Sequence, residues 1–469
     1  DVYWFHHRCY RGKATQNFLM VSRTGIEFID PATGRWNINH WTRGGCLYGI
    51  MPANGLLYTP PHDCACYPES KLFAFNALAA GTTPPLTPPG TATGRLRKGP
   101  AYGRIAAKPA TPSHADWPTY RGNARRTGTT ADPLPEALEP NWTTDLGTTL
   151  TPPTIAGGRV LLADTDTHTV FALDAADGRV LWEYTAGGRI DSPPTLHDGS
   201  ALFGCADGWI YCLRLRDGAL AWRFRAAPAE SRIVYFNQLE SRWPVHGSVL
   251  VEDGRVHAVA GRSMFLDGGL RLCRLDARTG ELVDEDAYDH TSPASGEDLQ
   301  EHVQRLTMPV ALPDVLASDG THLYMRSQVI EKDGTRVDVE PYGAMKLGGH
   351  AAVQSGETAH LFSPTGYLDG SWFHRSYWVY GRSFEGGWNS YYLAGRRVPA
   401  GRLLVADNKT VFGFGREMRY YKWTTPLEYQ LFASPRTPDE KTEKTETPPD
   451  GTLVRVDKHG RIDPKNTPL

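Results

Sequence analysis

A unit of about forty residues recurs along this chain, and the repeat limits the possible folds more than any other feature. Residues 160–188 contain three short apolar segments, with the turn dipeptide Asp177-Gly178 before the third. The pattern returns at residues 201–224 and 256–283. A few short strands per repeat, ending in Trp or another apolar residue, are typical of a propeller blade. The repeat therefore predicts an all-β fold.

Two segments carry a more specific pattern: residues 172–182 read ALDAADGRVLW, and residues 212–222 read CLRLRDGALAW. They resemble the PQQ-like β-propeller repeat of quinoprotein dehydrogenases and outer-membrane-assembly scaffold propellers. The resemblance implies a β-propeller of four-stranded antiparallel sheets. It is clearest in the third to fifth units and does not identify an activity, because one propeller scaffold hosts many functions.

Eight modules with blade rhythm can be placed along the chain. They cover residues 17–36 and 45–78, three units starting near 145, 188 and 243, then 315–337, 360–384 and 402–415. We therefore predict one domain over residues 1–469 with eight blades, seven being the alternative. Residues 79–140 are rich in Pro and Gly and predict a surface excursion between blades, and the charged residues 437–449 predict an exposed loop.

Composition excludes several classes of protein. The net charge of the 469-residue chain is −2, so no global field favours nucleic acid or a membrane surface. No apolar run approaches the roughly 18 residues of a membrane-spanning helix. The chain starts at Asp1, without an initiator Met or a signal peptide, which indicates either a processed protein or a fragment. We expect a secreted or periplasmic protein.

Four of the seven cysteines lie within the first 66 residues, which suggests a shared local role. In a strand, His62, Cys64 and Cys66 would share one face. Thiolates at this density suit a closed structural Zn²⁺ site or Cu(I), whereas two disulfides or buried free thiols are the alternatives. The predicted metal ligands are Cys9, Cys46, His62, Cys64 and Cys66. Cys205 and Cys212 flank a turn and could face each other across a hairpin, or belong to the core.

Basic and aromatic residues head several modules. Because the innermost strands of a propeller line its axis, such residues converge on one face and would form a cationic, aromatic cleft. This cleft suits an anionic ligand with a ring that stacks, such as a uronic acid or a sulfated sugar. The predicted substrate-binding residues are Arg8, Arg43, Arg242, Trp372 and Arg382. For any one of these side chains, solvation or blade-to-blade packing is the competing interpretation.

A cationic cleft with His and Tyr also suits proton abstraction next to a uronate carboxylate, the step that begins β-elimination by a polysaccharide lyase. Some polysaccharide lyases are propellers with similar residue types, and some of them carry a structural zinc. We predict His246 or His374 as base or neutraliser and Tyr377 as acid or base. Arg375, together with Arg43, would hold the carboxylate.

Two further functions are weighed against the lyase. Quinone-dependent dehydrogenases of this fold share an adjacent Cys-Cys pair and a set of acidic and Asn ligands to Ca²⁺. This chain has no Cys-Cys pair, and no such Ca²⁺ set can be identified, which argues against PQQ as cofactor. A non-catalytic propeller that binds protein partners through its loops is the alternative to polysaccharide recognition.

Overall fold

The computed structural model describes most of the chain between residues 10 and 436. The described residues are 10–22, 25–37, 39, 41–61, 72, 75–81, 93–105, 116–147, 149–235, 237–299, 311–313, 315–338, 358–364, 366, 377–382, 398–416 and 430–436. The predicted charged loop at 437–449 lies outside them. Among the described residues, no helix is both long enough and apolar enough to span a bilayer.

The described strands pair in antiparallel sheets, as the repeat predicts. The N-terminal sheets contain β1 (Lys13–Ala14), β2 (Leu19–Val21), β3 (Glu27–Ile29) and β4 (Trp36–Asn37), then β5 (Met51–Ala53), β6 (Leu56–Thr59) and β7 (Asn76–Leu78). A short strand, β8 (Leu96–Lys98), follows. Asn54 and Gly55 both have positive φ, as the two central residues of a type I′ hairpin turn do, and they join β5 to β6.

The third, fourth and fifth blades are four consecutive strands each, as predicted. The third blade is β9 (Thr154–Ala156), β10 (Arg159–Asp164), β11 (Thr169–Asp174) and β12 (Val180–Thr185). The fourth is β13 (Thr195–His197), β14 (Ser200–Gly204), β15 (Trp209–Arg214) and β16 (Leu220–Arg225). A hairpin, β17 (Arg232–Tyr235) and β18 (Gln238–Ser241), separates it from the fifth blade: β19 (Leu250–Glu252), β20 (Arg255–Ala260), β21 (Leu270–Asp276) and β22 (Leu282–Tyr288).

The predicted seventh and eighth blades form one sheet. The sixth blade is β23 (Leu316–Ser318), β24 (His322–Met325) and β25 (Gln328–Glu331). The C-terminal sheet contains β26 (His360–Phe362), β27 (Trp378–Gly381), β28 (Ala400–Ala406), β29 (Thr410–Arg416) and β30 (Gln430–Pro435). Because β27 pairs with β28, two predicted modules share a single five-stranded sheet. The separation into a seventh and an eighth blade is therefore wrong, and the count of eight is not confirmed.

The hydrophobic core lies between consecutive blades, as expected for sheets arranged around an axis. Leu161 and Ala172 of the third blade pack with Phe203 and Tyr211 of the fourth. The opposite face of the fourth blade packs on the fifth. Cys205 belongs to the first of these interfaces and Cys212 to the second, so they do not face each other across a hairpin. Both are buried thiols, and the core interpretation is the correct one.

A tryptophan packs on a turn glycine at three successive positions. The pairs are Trp142 with Gly178, Trp182 with Gly218, and Trp222 with Gly280. Each glycine lies in the turn between the last two strands of a blade and has a φ of 69–74°. A Cβ on Gly280 would lie 2.5 Å from the Trp222 indole, so both backbone conformation and close approach require glycine. The tryptophan ending one repeat thus packs against the next blade.

The predicted surface excursion, residues 79–140, is partly built into the fold. Strand β8 pairs with β16 and adds a fifth strand to the outer edge of the fourth blade, which covers that edge. Residues 116–129 lie against inner strands: Trp117 bridges to Ile155, and Arg126 donates from Nε to the Leu316 carbonyl at 2.8 Å. Burial lowers the pKa of Arg126 to about 9. Thr119, Tyr120 and Arg126 are buried and most of the other residues of this segment are half-buried, contrary to the prediction of a surface excursion, because side chains of the segment bind inner-strand backbone groups.

His257 of β20 makes the stability sensitive to acid. Burial, assisted by nearby Arg274, lowers its pKa to about 4. An unfolded His titrates near pH 6.5, so between pH 6.5 and 4 the unfolded chain binds a proton that the folded chain does not. The free energy of unfolding therefore decreases as the pH is lowered through this range. We expect His257→Gln to remove about 3 kcal/mol of this loss. The measurement is the difference in unfolding free energy between pH 7 and 4; an unchanged difference would contradict the assignment.

Candidate functional site

One end of the third to fifth blades carries long connections. In an antiparallel blade, the turn between the second and third strands lies at the same end as the connection from the last strand to the next blade. Residues 186–194, 204–209, 226–249 and 261–269 therefore gather at this end, which we call the loop face. The longest of these connections, residues 226–249, contains the β17–β18 hairpin. Side chains from several blades meet at the loop face.

The two faces of the hairpin differ sharply in exposure. Val234 and Leu239 are directly opposite each other on one face, and their exposed fractions are 76% and 56%. On the other face, Tyr235 and Glu240 are buried. Exposed apolar side chains at directly paired positions form a contiguous patch, since side chains of such a pair lie close together. The hairpin thus presents an apolar pair to solvent.

A network of buried charges holds the hairpin in place. Glu240 accepts from Arg262 at 2.5 Å, and its other oxygen lies 3.5 Å from Arg189. The Arg262 guanidinium also stacks on the Tyr235 ring, with its Cζ 3.9 Å from the ring centroid. Because these contacts fix Tyr235 and Glu240 on one face of the hairpin, the orientation of Val234 and Leu239 on the other face is set by the fold.

His246 belongs to this network and is buried. Its Nδ1 lies 2.7 Å from Asp191 Oδ2, and its Nε2 lies 3.3 Å from Arg262. Asp191 also forms an ion pair with Arg189, with Oδ1 and Nε 2.8 Å apart. Burial raises the pKa of Asp191 to about 6. With Nδ1–H donating to Asp191 and Nε2 accepting from Arg262, neither ring nitrogen can take a proton from a ligand without breaking the network.

The outer edge of β17 has unused backbone groups. Arg242 N–H donates to the Ser231 carbonyl at 2.9 Å, which fixes the alternation of bonded pairs in the hairpin. The N–H and C=O of Arg232 and Val234 consequently point away from β18. Among the residues that the structure describes, these groups have no hydrogen-bond partner. On the other side of the hairpin, Ser241 N–H donates to the Ala206 carbonyl of the fourth blade.

An apolar cleft adjoins the base of the hairpin. Arg242 forms an ion pair with Asp267, which lines a cleft of about 840 Å³. Trp41 and Phe265 stack inside it, with ring centroids 6.0 Å apart and planes 9° from parallel. The cleft lies between the N-terminal sheets and the connection at 261–269. A cleft of this size and lining can accept apolar side chains of a ligand.

The predicted ligand-binding residues are dispersed. Arg242 lies at the loop face, where it forms an ion pair with Asp267. Its Cζ is 5.3 Å from the centroid of the Trp243 ring. Arg43 is buried, with its guanidinium 5.8 Å from the Tyr10 ring. Arg382 directly follows β27 of the C-terminal sheet and is half-buried. Arg8 and Trp372 lie outside the described residues.

The described part of the chain does not bring the predicted catalytic residues together in one site. His246 is locked in the charge network, and Tyr377 is buried directly before β27. His374 and Arg375 lie outside the described part of the chain. The roles assigned to all four stay predictions.

The predicted metal site falls almost wholly outside the described residues, which omit Cys9, His62, Cys64 and Cys66. Cys46 is half-buried. Within the described ranges, no group of three or more His, Cys, Asp or Glu side chains could hold a metal ion.

Sequence reasoning missed most of the loop face. Asp191, Glu240, Arg189 and Arg262 were not singled out, because they lie in separate connections with no shared spacing. One available signal was the length of the segment between the fourth and fifth blades. It contains Arg232-Ile233-Val234-Tyr235, a run with strand character outside the four strands that each blade needs.

The architecture and the repeat define this protein as an all-β propeller with PQQ-like repeats. Residues 136–328 match the family described as "Outer membrane protein assembly factor BamB". This match confirms the resemblance of residues 136–328 to the PQQ-like β-propeller repeat that was inferred from the sequence.

Curated relatives match only short portions. The chain is 35% identical over 69 residues to the outer membrane protein assembly factor BamB of Moranella endobia, covering 15% of this chain and 18% of that protein. It is 27% identical over 141 residues to the dehydrogenase subunit of a quinone alcohol dehydrogenase of Gluconobacter oxydans, covering 28% and 18%. The chain thus spans less than a fifth of each of these relatives.

Solved structures with similar folds include BamB from Moraxella catarrhalis, at 14% identity and a TM-score of 0.26, covering 87% of this chain and 94% of that one. Quinohemoprotein alcohol dehydrogenase from Comamonas testosteroni matches at 15% identity and a TM-score of 0.38, covering 74% and 51%.

Proposed function

We propose that this chain is a non-catalytic propeller that binds a protein partner on its loop face. The observation that carries the proposal is the hairpin: Val234 and Leu239 are exposed side by side while the opposite face is fixed by buried charges. A rigid element with exposed apolar side chains loses little conformational entropy when it binds a partner. The match to an outer membrane protein assembly factor supports the same class of function.

The partner segment that fits best is an extended strand. The free N–H and C=O groups of Arg232 and Val234 could pair with it along the edge of β17. Its alternate side chains could then cover Val234 and Leu239, and a further apolar residue could enter the cleft lined by Trp41 and Phe265. An outer-membrane β-strand, with alternating apolar and polar residues, has this pattern.

A double substitution on the hairpin tests the proposal. We expect Val234→Asp with Leu239→Asp to weaken binding of a synthetic ten-residue peptide of alternating apolar and polar residues at least tenfold. Each apolar side chain gains about 1.5–3 kcal/mol on full burial, and about 1.4 kcal/mol is tenfold in affinity. The measurement is fluorescence anisotropy of the labelled peptide.

The matched control is Leu138→Asp, since Leu138 is 75% exposed and lies outside the loop face. Its affinity should equal that of the unmodified chain. A peptide with N-methyl groups on alternate residues should lose binding as well, because it cannot pair with a strand edge. Equal affinities for the double variant and the unmodified chain would refute the proposal.

Recognition and β-elimination of an acidic polysaccharide is the weaker candidate. One of the two bases nominated for that chemistry, His246, has both ring nitrogens engaged, and Arg43 and Tyr377 are buried. Incubation with pectin, ulvan, alginate and glycosaminoglycans separates the two functions. A scaffold gives no ultraviolet absorbance of an unsaturated uronate, whereas a lyase does.

A cofactor and a cellular compartment are also proposed for this protein. We propose a structural zinc ion at the N-terminal cysteine cluster, no bound PQQ, and export from the cytoplasm. Metal analysis of the purified chain tests the zinc. An absorbance spectrum after incubation with PQQ and Ca²⁺ tests the quinone.

A further inference from the structure

The outer edge of the fourth blade pairs two arginines directly. Strand β8 is antiparallel to β16, and the register places Arg97 opposite Arg223. Directly paired residues of an antiparallel ladder project from the same face of the sheet. Arg97 is exposed and Arg223 is half-buried. Two positively charged side chains therefore lie side by side at this edge.

Both guanidinium groups lie over one indole ring. Arg223 Cζ is 4.6 Å from the centroid of Trp209, and Arg97 Cζ is 5.8 Å from it. Trp209 is buried and belongs to the interface between the third and fourth blades. Because a buried ring cannot turn away, it holds both guanidinium groups in one small area.

Other arginines nearby have carboxylate partners. Arg214 pairs with Asp217 at 2.6 Å, Arg225 with Glu230 at 3.2 Å, and Arg95 with Glu285 at 2.8 Å. Among the described residues, neither Arg97 nor Arg223 has a carboxylate within ion-pair distance.

The one polar side-chain contact described for this pair is made by Arg223. Its Nη1 donates to the Tyr211 hydroxyl at 3.3 Å, and that hydroxyl donates to Asp207 at 2.6 Å. The Asp207 carboxylate is therefore linked to Arg223 only through the Tyr211 hydroxyl. The remaining guanidinium donors of Arg97 and Arg223 stay available to a ligand. Directly paired like charges are unfavourable in a sheet, so this arrangement favours a bound anion between them.

We propose that Arg97 and Arg223 form a binding site for a phosphate monoester. The doubly charged group matches the two positive charges, and its three terminal oxygens can accept from both guanidinium forks. The Trp209 ring forms the floor of the site. The phosphate group is the shared chemistry of a soluble metabolite and of a lipid headgroup, and either source fits the open edge of the blade.

Calorimetric titration with glycerol phosphate tests the soluble source. A flotation assay with phosphatidylcholine vesicles, with and without phosphatidic acid, tests the lipid source. We expect at least one arm to bind, and Arg97→Gln and Arg223→Gln each to weaken that binding at least fivefold. Acetate should bind more weakly than the phosphate monoester, since it carries one charge.

The matched control is Arg179→Gln, because Arg179 is an exposed arginine of the third blade with its own carboxylates, Asp174 and Asp177. Its phosphate binding should be unchanged, and the melting temperatures of all variants should agree. The site is refuted if neither phosphate source binds, if acetate binds as tightly, or if Arg179→Gln weakens binding as much. Peptide binding at the hairpin is unaffected in either case, so the two proposals fail separately.

Discussion

The Arg95→Met variant is expected to lose about 3–5 kcal/mol of unfolding free energy. Arg95 lies just before β8, and its guanidinium contacts both oxygens of Glu285 in the fifth blade at 2.8 and 3.2 Å. The exposed fractions of the two side chains are 5% and 0%. Methionine would take one cationic partner from the buried Glu285 carboxylate, and breaking a buried ion pair is costly. Chemical denaturation of the purified chain measures the loss.

The double variant Arg95→Met with Glu285→Leu is the informative control. Replacing both charges by apolar side chains removes the buried carboxylate together with the arginine, so at least half of the lost stability should return. Recovery should be incomplete, because Arg95 also donates to the Arg225 and Ala226 carbonyls at 2.7 and 3.0 Å. A single variant as stable as the unmodified chain would show that this ion pair does not attach β8 to the fifth blade.

The Trp222→Ala variant should lose a comparable amount, about 3–5 kcal/mol. Trp222 has an exposed fraction of 0% and packs between the fourth and fifth blades, against Gly280. Alanine would leave a cavity in an interface made of two rigid sheets, which cannot collapse to fill it. Thermal and chemical unfolding measure the effect.

The graded control is Trp222→Phe, which keeps an aromatic ring and should cost clearly less than alanine. Gly280→Ala should also destabilise, because the glycine has a φ of 69° and its Cβ would meet the indole. A Trp222→Ala variant that unfolds like the unmodified chain would contradict the packing of each repeat on the next blade.

The sequence predicts the third to fifth blades well because their determinants are local. Each carries short strands, a turn glycine and an apolar or Trp terminus within one repeat. The error at the C-terminal sheet has the opposite origin. Whether β27 pairs with β28 depends on two segments separated by residues 382–399, and no local pattern encodes that pairing. The packing of residues 116–129 on inner strands was missed for the same reason, since Arg126 binds the Leu316 carbonyl 190 residues away.

The candidate site was predictable only in part. His246 was singled out as a base or neutraliser and lies at the loop face, but its environment could not be read from the sequence. Asp191, Glu240 and Arg262 come from three different connections, and only the fold brings them to one histidine. Exposure of Val234 and Leu239 is likewise a tertiary property, because a strand of this composition more often packs into a core.

The most direct test of partner binding on the loop face is a photocrosslink in cells that produce the full protein. A photoreactive amino acid at position 234 should give one discrete crosslinked protein, and Glu240→Gln, which loosens the support of the hairpin, should reduce its yield. The same amino acid at position 138 should give none. Equal crosslinking from both positions, or no product from position 234, would contradict the account.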